Sequence, residues 1–296
     1  MAIEAGHPSL PRRQLGGYIR RAREAANLGQ REVAELMQWS VSTQSRLERG
    51  ELGKLRDRDL QLLGEVLGFK DGETAAMIGL LRQTAEKSWW HSFGDVILES
   101  FGVYVGLETD ARSLDIYRPD IVPGLFQTAE YAATLNRIFF PKDSEDEQQR
   151  RIQLGRQRQM ILTRKAKPAT VNLVLQEAVL RTVVGGSSVM AAQLRHFADM
   201  SVRPNITVRV LPFTAGFPLG ITLGPFVILD FAADPKGVAA PTVIYVENYT
   251  GDMYLEVETD VRQYRRASAI IQHAALDAVT SRNLLRQVAK EYQREH

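Results

Sequence analysis

"GQREVAELMQWSVSTQSRLERGE", residues 29–51, sets two short apolar-patterned segments on either side of Gln38-Trp39-Ser40. The first predicts a helix from Gln30 to Met37 with Val33, Ala34, Leu36 and Met37 turned inward and Arg31, Glu32 and Glu35 in solvent. Ser40 is a good N-cap for a second helix, which should run to Arg49 and stop at Gly50. Just upstream, Leu15, Ile19, Ala22 and Ala26 repeat at helical spacing opposite Arg20, Arg21 and Arg23, which predicts a further helix over residues 15–26. Asn27 tolerates the left-handed conformation that ends it, and Gly29 is a weak cap for its successor. Two more helices are expected at Asp57–Leu67 and Glu73–Ala85, so that residues 10–85 form a bundle of about five short helices.

Two helices joined by a turn this short cross steeply only where a small residue lies at their contact, and Ala34 supplies one. The second helix then projects its first turn outward, with Ser40, Ser42 and Thr43 and, one turn on, Arg46 along one flank. Short hydroxyls allow close approach to base edges, Arg46 can make paired bonds to guanine or phosphate, and Gln30 at a helix start can clamp a phosphate backbone. From periodicity alone, a solvated helical hairpin with ordinary surface polars fits as well.

The stretch "LGQREVAELMQWSVSTQSRLERG" resembles the Xre or Cro-repressor type of helix-turn-helix without a gap from Leu28 to Gly50. The resemblance implies that Gln30 contacts phosphate in double-stranded DNA and that Val41, Ser42, Thr43 and Arg46 read bases. Three positions depart from the pattern: Gln38 stands where the turn usually has Gly, Gln44 where Ile or Val is usual, and Gly29 where Ser or Thr caps.

Beyond residue 88 the chain becomes richer in aromatics, beginning with Trp89 and Trp90, which suit packing between domains or protomers better than base stacking. "LETDARSLDIYRPDIVPGLFQTAEYA" closely resembles the start of a C-terminal domain of unknown function that accompanies Xre-type regulators in actinobacteria. The likeness continues through "RQRQMIL", "PNITVRVLPFTAGFP" and "TVIYVEN". It implies a small partner protein, commonly encoded beside such regulators. Two domains are thus expected, 10–85 and 88–296, consistent with 296 residues at roughly 150 per domain.

Residue patterns in the second domain predict an α/β fold. Alternation of Val171, Leu173 and Leu175 against Asn172 and Gln176 gives a half-buried strand at which a sheet begins. An amphipathic helix at 188–201 leads to a strand "ITVRVL", a parallel crossover. "PFVILDF" reads as a central strand, "TVIYVEN" and "MYLEVE" as an antiparallel meander, and helices at Asp260–Ala278 and Ser281–Tyr292 close the domain. The whole is α+β: a five-helix helix-turn-helix bundle, then an α/β domain with a small mixed sheet flanked by helices. The basic run Arg150, Arg151, Arg156, Arg158, Arg164, Lys165 and Lys167 reads as a solvated helix face whose stems cover Ile152, Leu154 and Ile161, with an auxiliary phosphate contact as the alternative.

Glu177 and Glu247 each continue an apolar strand face to the sheet rim. Together they could line a ligand pocket or act as an acid–base pair; singly they would cap backbone or pair with arginine, the more ordinary fate. "FTAGFPLGITLG" has glycines at 216, 220 and 224 and reads as a mobile connection or lid rather than a phosphate loop, and "GELGKL" at 50–55 lacks that loop's full spacing.

The composition excludes several classes. A net charge of +2 from 37 basic and 35 acidic residues confines any nucleic-acid surface to a local patch. No cysteine means no disulfide or thiol chemistry, and the N-terminus lacks an apolar leader. The expected compartment is the cytoplasm, with no membrane partner. The five histidines have no paired metal-ligand spacing, so neither a cofactor nor an enzyme is expected. A homodimer is, because one helix-turn-helix reads too few base pairs for a specific site. A partner protein or a small-molecule effector acting through the second domain is the remaining expectation.

Overall fold

The computed structural model describes residues 10–50, 55–69, 74, 77–78, 89–93, 95–97, 99–232, 241–249 and 252–294. The chain forms two compact units that divide between Ser92 and Phe93. In the first, α1 (Leu10–Ala25), α2 (Gln30–Leu36), α3 (Val41–Glu48) and α4 (Asp57–Leu67) surround a core of Leu15, Ile19, Val33, Met37, Leu47, Leu60, Leu63, Leu67 and Met77. The helix expected over 73–85 lies outside the described residues apart from Thr74, Met77 and Ile78, which are helical. The segment 51–54 lies outside them too.

Several expectations on these helices change. α1 begins at Leu10, because Pro11 is tolerated in a first turn where its missing N–H has no partner to lose. Ala26 falls beyond the helix end and is exposed. Leu36 is 61% exposed, since at 3.6 residues per turn it lies about 110° from the centre of the face shared by Val33, Ala34 and Met37. Arg23, expected on the basic outer face, is buried: it continues the Leu15–Ile19 stripe by one more turn.

The second unit is built on a six-stranded mixed sheet of order β3-β2-β1-β4-β5-β6, from β1 (Ala111–Arg118), β2 (Thr170–Gln176), β3 (Ile206–Leu211), β4 (Phe226–Phe231), β5 (Val243–Val246) and β6 (Met253–Leu255). Strands β1, β2 and β3 run parallel to one another, and β4, β5 and β6 form an antiparallel meander whose first strand pairs antiparallel with β1. The sheet therefore begins at Ala111, not near residue 171, and β1, which the sequence pattern did not reveal, lies in its interior. With a strand on each side and Val174 buried along with Val171, Leu173 and Leu175, β2 is closed on both faces rather than half-buried.

Helices α5 (Glu99–Asp110), α6 (Ala129–Phe139), α7 (Glu145–Thr163), α8 (Glu177–Arg181), α9 (Ser187–Met200), α10 (Glu258–Ala274) and α11 (Ala278–Arg294) flank the sheet. The last two start and stop two to four residues away from the expected bounds. Ser144 and Glu147 form a reciprocal capping box that starts α7 at Glu145. Only part of the basic run is a solvated face: Arg156 and, beyond the helix end, Lys165 and Lys167 are exposed. Arg158 is buried, bonded to both carboxylate oxygens of Glu108 at 2.7 and 2.8 Å, with its guanidinium over the rings of Phe101 and Tyr104. Arg151 pairs with Asp143 at 2.6 Å and stacks on Phe140, and Arg150 pairs with Asp95. The turn Pro123-Gly124-Leu125-Phe126 closes over this site, and a Cβ on Gly124 would meet the Arg158 guanidinium at 2.9 Å. Gln159 and Gln193 fasten the same turn: Gln159 donates to the Gly124 and Gln127 carbonyls, and Gln193 donates to the Phe126 carbonyl and accepts from the Thr128 N–H.

In the first unit, a Cβ built on Gly16 would stand 2.5 Å from the Leu47 carbonyl oxygen, so only glycine lets α1 lie against the end of α3. Gly16→Ala should therefore destabilise this unit by about 1–3 kcal/mol despite alanine's better helix propensity, because backbone cannot yield as a side chain would. Urea unfolding followed by far-ultraviolet circular dichroism checks the sign; a stabilised variant would show that α1 slides freely.

Candidate nucleic-acid interface

Sequence places α2 and α3 at an angle through the turn Met37–Ser40. The turn needs one left-handed residue, and Gln38 supplies it at φ 57, with a strain that glycine would avoid. Asn27, at φ 54, does the same service between α1 and α2. The Trp39 N–H donates to the Ala34 carbonyl at 2.7 Å, closing the turn. Ala34 is buried. At the start of α3 the Ser40 hydroxyl accepts from the Thr43 N–H at 3.1 Å and shares hydrogen bonds with the hydroxyls of Ser42 and Thr43. Gly29, which has no side chain to cap α2, instead donates its N–H to Glu32 at 2.6 Å.

α3 then divides cleanly. Gln44, Leu47 and Glu48 are buried, while Val41, Ser42, Arg46 and Arg49 face solvent with Thr43 and Ser45 at the edge. Arg46 keeps its guanidinium in reach of its own helix, donating to the Ser42 carbonyl at 3.3 Å. Sequence reasoning missed Ser45 and Arg49, joined at 2.9 Å, although their helical spacing from Ser42 and Arg46 was a readable signal.

Under this flank lies a buried polar network. The Arg23 guanidinium donates to both oxygens of Glu48 at 2.6 and 3.0 Å and to the Leu28 carbonyl at 2.8 Å. Gln44 donates to Glu48 at 2.8 Å and Gln30 at 2.7 Å. The carboxylate, 3% exposed, thus has donors from α1, the start of α2 and α3 itself. Gln44 stands where an aliphatic side chain would pack, and it packs as a buried donor; its own carbonyl oxygen has no hydrogen-bond partner. Gln30 commits one amide N–H inward, leaving the other for an external acceptor. Burial opposes the charge on Glu48, but the hydrogen bonds from Arg23, Gln44 and Gln30 outweigh it and hold the carboxyl below its ordinary 4.5.

Glu177 and Glu247 do not form a pair. Both follow the same end of the sheet, but β1 and β4 separate their strands, three spacings or about 14 Å. Glu177 opens α8, accepts from the Phe213 N–H at 3.0 Å and lies 3.9 Å from Arg181. Glu247 accepts from Arg118 at 2.5 Å, an arginine also bonded to Asp120. The connection over 213–224 is pinned rather than free: Ala215, Leu219 and Leu223 pack on the sheet core, and Gly216 and Gly220 take left-handed turns at φ 60 and 73. Phe213, Phe217 and Ile221 point outward from it.

These features define a class: an N-terminal helix-turn-helix followed by an α/β domain. Residues 14–77 match the model of a helix-turn-helix domain, which suggests a DNA-binding regulator. Residues 101–287, more than half of the chain, match a domain of unknown function, DUF5753, and the chain belongs to that family. No curated protein matches the chain. Among the described residues, no helix is long and apolar enough to cross a membrane.

Two outcomes are expected of the buried network. Arg23→Met leaves the Glu48 carboxylate without its counter-ion and should cost about 3–5 kcal/mol in the urea unfolding of the N-terminal unit. Because the Glu48 carboxyl titrates lower in the folded state than in the unfolded chain, the contribution is complete above pH 4.5 and is lost as pH falls through the folded value. Glu48→Gln should flatten that part of the acid dependence, and an unchanged acid profile would remove Glu48 from the explanation.

Proposed function

We propose that this protein is a sequence-specific transcriptional regulator of the Xre type, working in the cytoplasm as a homodimer on double-stranded DNA. The observation that carries the reading is the division of α3: a polar outer flank of Ser42, Arg46 and their neighbours on a helix whose inner side is fixed by the Arg23–Glu48 network. A recognition helix must reach base edges without yielding, and a buried ion pair with four donors supplies that rigidity. In this reading Gln30 contacts a phosphate through its second amide N–H, aided by the free N–H groups of the α2 first turn. Ser40 sets the start of α3, and Val41, Ser42, Thr43 and Arg46 lie against the major groove. One such helix reads only a few base pairs, so two protomers on a two-fold site are needed for specificity.

The C-terminal domain acts in this proposal as a non-catalytic regulatory and dimerisation module. Separation of Glu177 from Glu247, each already engaged, speaks against acid–base chemistry between them. Exposed Phe213, Phe217 and Ile221 above a filled loop favour a small protein partner there over a small effector beneath it.

Arg46→Ala should weaken binding to the specific site by about 1–3 kcal/mol, roughly 10- to 100-fold, with the bundle still folded, whereas Ala34→Leu should disrupt the helix crossing itself. Footprinting with the DNA flanking its own gene, at two salt concentrations and with non-specific competitor, reads both, and sedimentation gives the stoichiometry. Competitor-resistant protection of a two-fold site supports the proposal. Unchanged affinity in the Arg46 variant would mean that α3 does not lie in the groove as oriented here.

A further inference from the structure

We infer that the groove between α9 and α11 is a binding site for a small phosphate-bearing molecule. It is a trough of about 250 Å³ lined by Arg195, Ala198 and Asp199 from α9 and by Arg286, Ala289, Lys290 and Gln293 from α11. The two alanines are buried and, being small, leave depth between the helices where larger residues would fill it. Arg195 and Asp199 are four residues apart, as are Arg286 and Lys290, so each pair leans over the trough from one helix face.

Charge identifies the occupant. Elsewhere in this domain the largely buried Arg118, Arg151 and Arg158 each hold a carboxylate, whereas exposed arginines such as Arg112, Arg156 and Arg203 hold none among the described residues; what distinguishes this groove is that three such cations line one space. Among the described residues, Arg195, Arg286 and Lys290 hold none, and Asp199 beside them makes no ion pair. Like charges one turn apart on a helix cost a few tenths of a kcal/mol, and an anion in the trough turns that repulsion into attraction. Two guanidinium forks and an ammonium facing one space suit the several oxygens of a phosphate, which a guanidinium can meet with paired bonds. Asp199 is the acceptor for a hydroxyl on the body of the same ligand and makes the trough a poor track for a continuous polyanion. A volume just below the ~300 Å³ at which small-molecule sites usually start fits a phosphate on a small hydroxylated body, such as a sugar phosphate.

The walls are held in advance. Ser281, on α11, accepts from the Val210 N–H at 2.9 Å, Arg282 bonds Ser201 beyond the end of α9, and the Tyr292 hydroxyl donates to the Leu180 carbonyl at 3.2 Å. A ligand therefore meets a preformed site. The inference does not rest on DNA binding, and the two are tested by separate assays.

Calorimetric titration of the full chain with ribose 5-phosphate, inorganic pyrophosphate and ribose decides it. Saturable one-to-one binding of the two phosphates but not of ribose is expected, weakened roughly tenfold by Arg286→Ala and by Arg195→Ala. Arg262→Ala, which removes an exposed arginine paired with Glu258, should leave it unchanged. Circular dichroism establishes that each variant is folded. Absence of saturable phosphate binding, or equal weakening by Arg262→Ala, would overturn the assignment. So would loss of duplex DNA affinity in Arg286→Ala without any phosphate binding, which would give the groove to the DNA backbone instead.

Discussion

The ion pair between Arg23 and Glu48 is the constraint on which the N-terminal unit turns. Two charges removed from water are worth having only when their hydrogen-bonding capacity is filled, and here it is filled by groups from three different parts of the bundle. Gln30 and Gln44 reach the carboxylate from the start of α2 and from within α3, and the Leu28 carbonyl takes a further guanidinium N–H. No one of these helices can rotate without stranding a buried polar group. The outer flank of α3 is therefore positioned by what lies beneath it, and Gly16 adds the close approach of α1 that the pair requires.

A second buried pair does comparable work in the C-terminal domain. Arg158 of α7 and Glu108 of α5 meet under the Pro123–Phe126 turn, with the guanidinium between aromatic rings and the turn glycine. Tyr104 continues this arrangement by stacking on Tyr245 at 4.1 Å, which links α5 to β5. Burial drives the Tyr104 hydroxyl well above its ordinary value, so it stays a neutral packing group. The domain is thus anchored by a hydrogen-bonded ion pair inside a largely apolar core. The α9–α11 groove differs in gathering around one space three cations that, among the described residues, hold no carboxylate.

Much of the architecture was legible because it depends on local chemistry. The Ser40 cap, the left-handed Asn27, the bounds of α4, the parallel β2-α9-β3 crossover and the antiparallel meander follow from turn residues, capping and the period of apolar side chains. The charged pairs were harder. Arg23 lies on the Leu15–Ile19 line and Glu48 beside Leu47, so each sits on the core stripe of its helix. Opposite charges on two core stripes are a signal of a buried ion pair, and the outward assignment of Arg23 overlooked it. β1 escaped because polar residues interrupt its apolar positions Leu114, Ile116 and Tyr117, and only pairing on both sides makes it a central strand.

What the sequence alone determined is most of the N-terminal helices, the strands from β2 onward, and that the outer flank of α3 is polar, since each depends on residues within a turn or two. What the tertiary structure decided is partnership across long separations: Arg23 with Glu48, Arg158 with Glu108, Glu177 with the Phe213 N–H and Glu247 with Arg118. No local rule sets these, because a charged side chain shows the same pattern whether it meets water or a partner. The spacing of Glu177 and Glu247 is the clearest case. Their positions at strand ends could be read from the alternation of side chains, but strand order placed two strands between theirs and gave each a different neighbour.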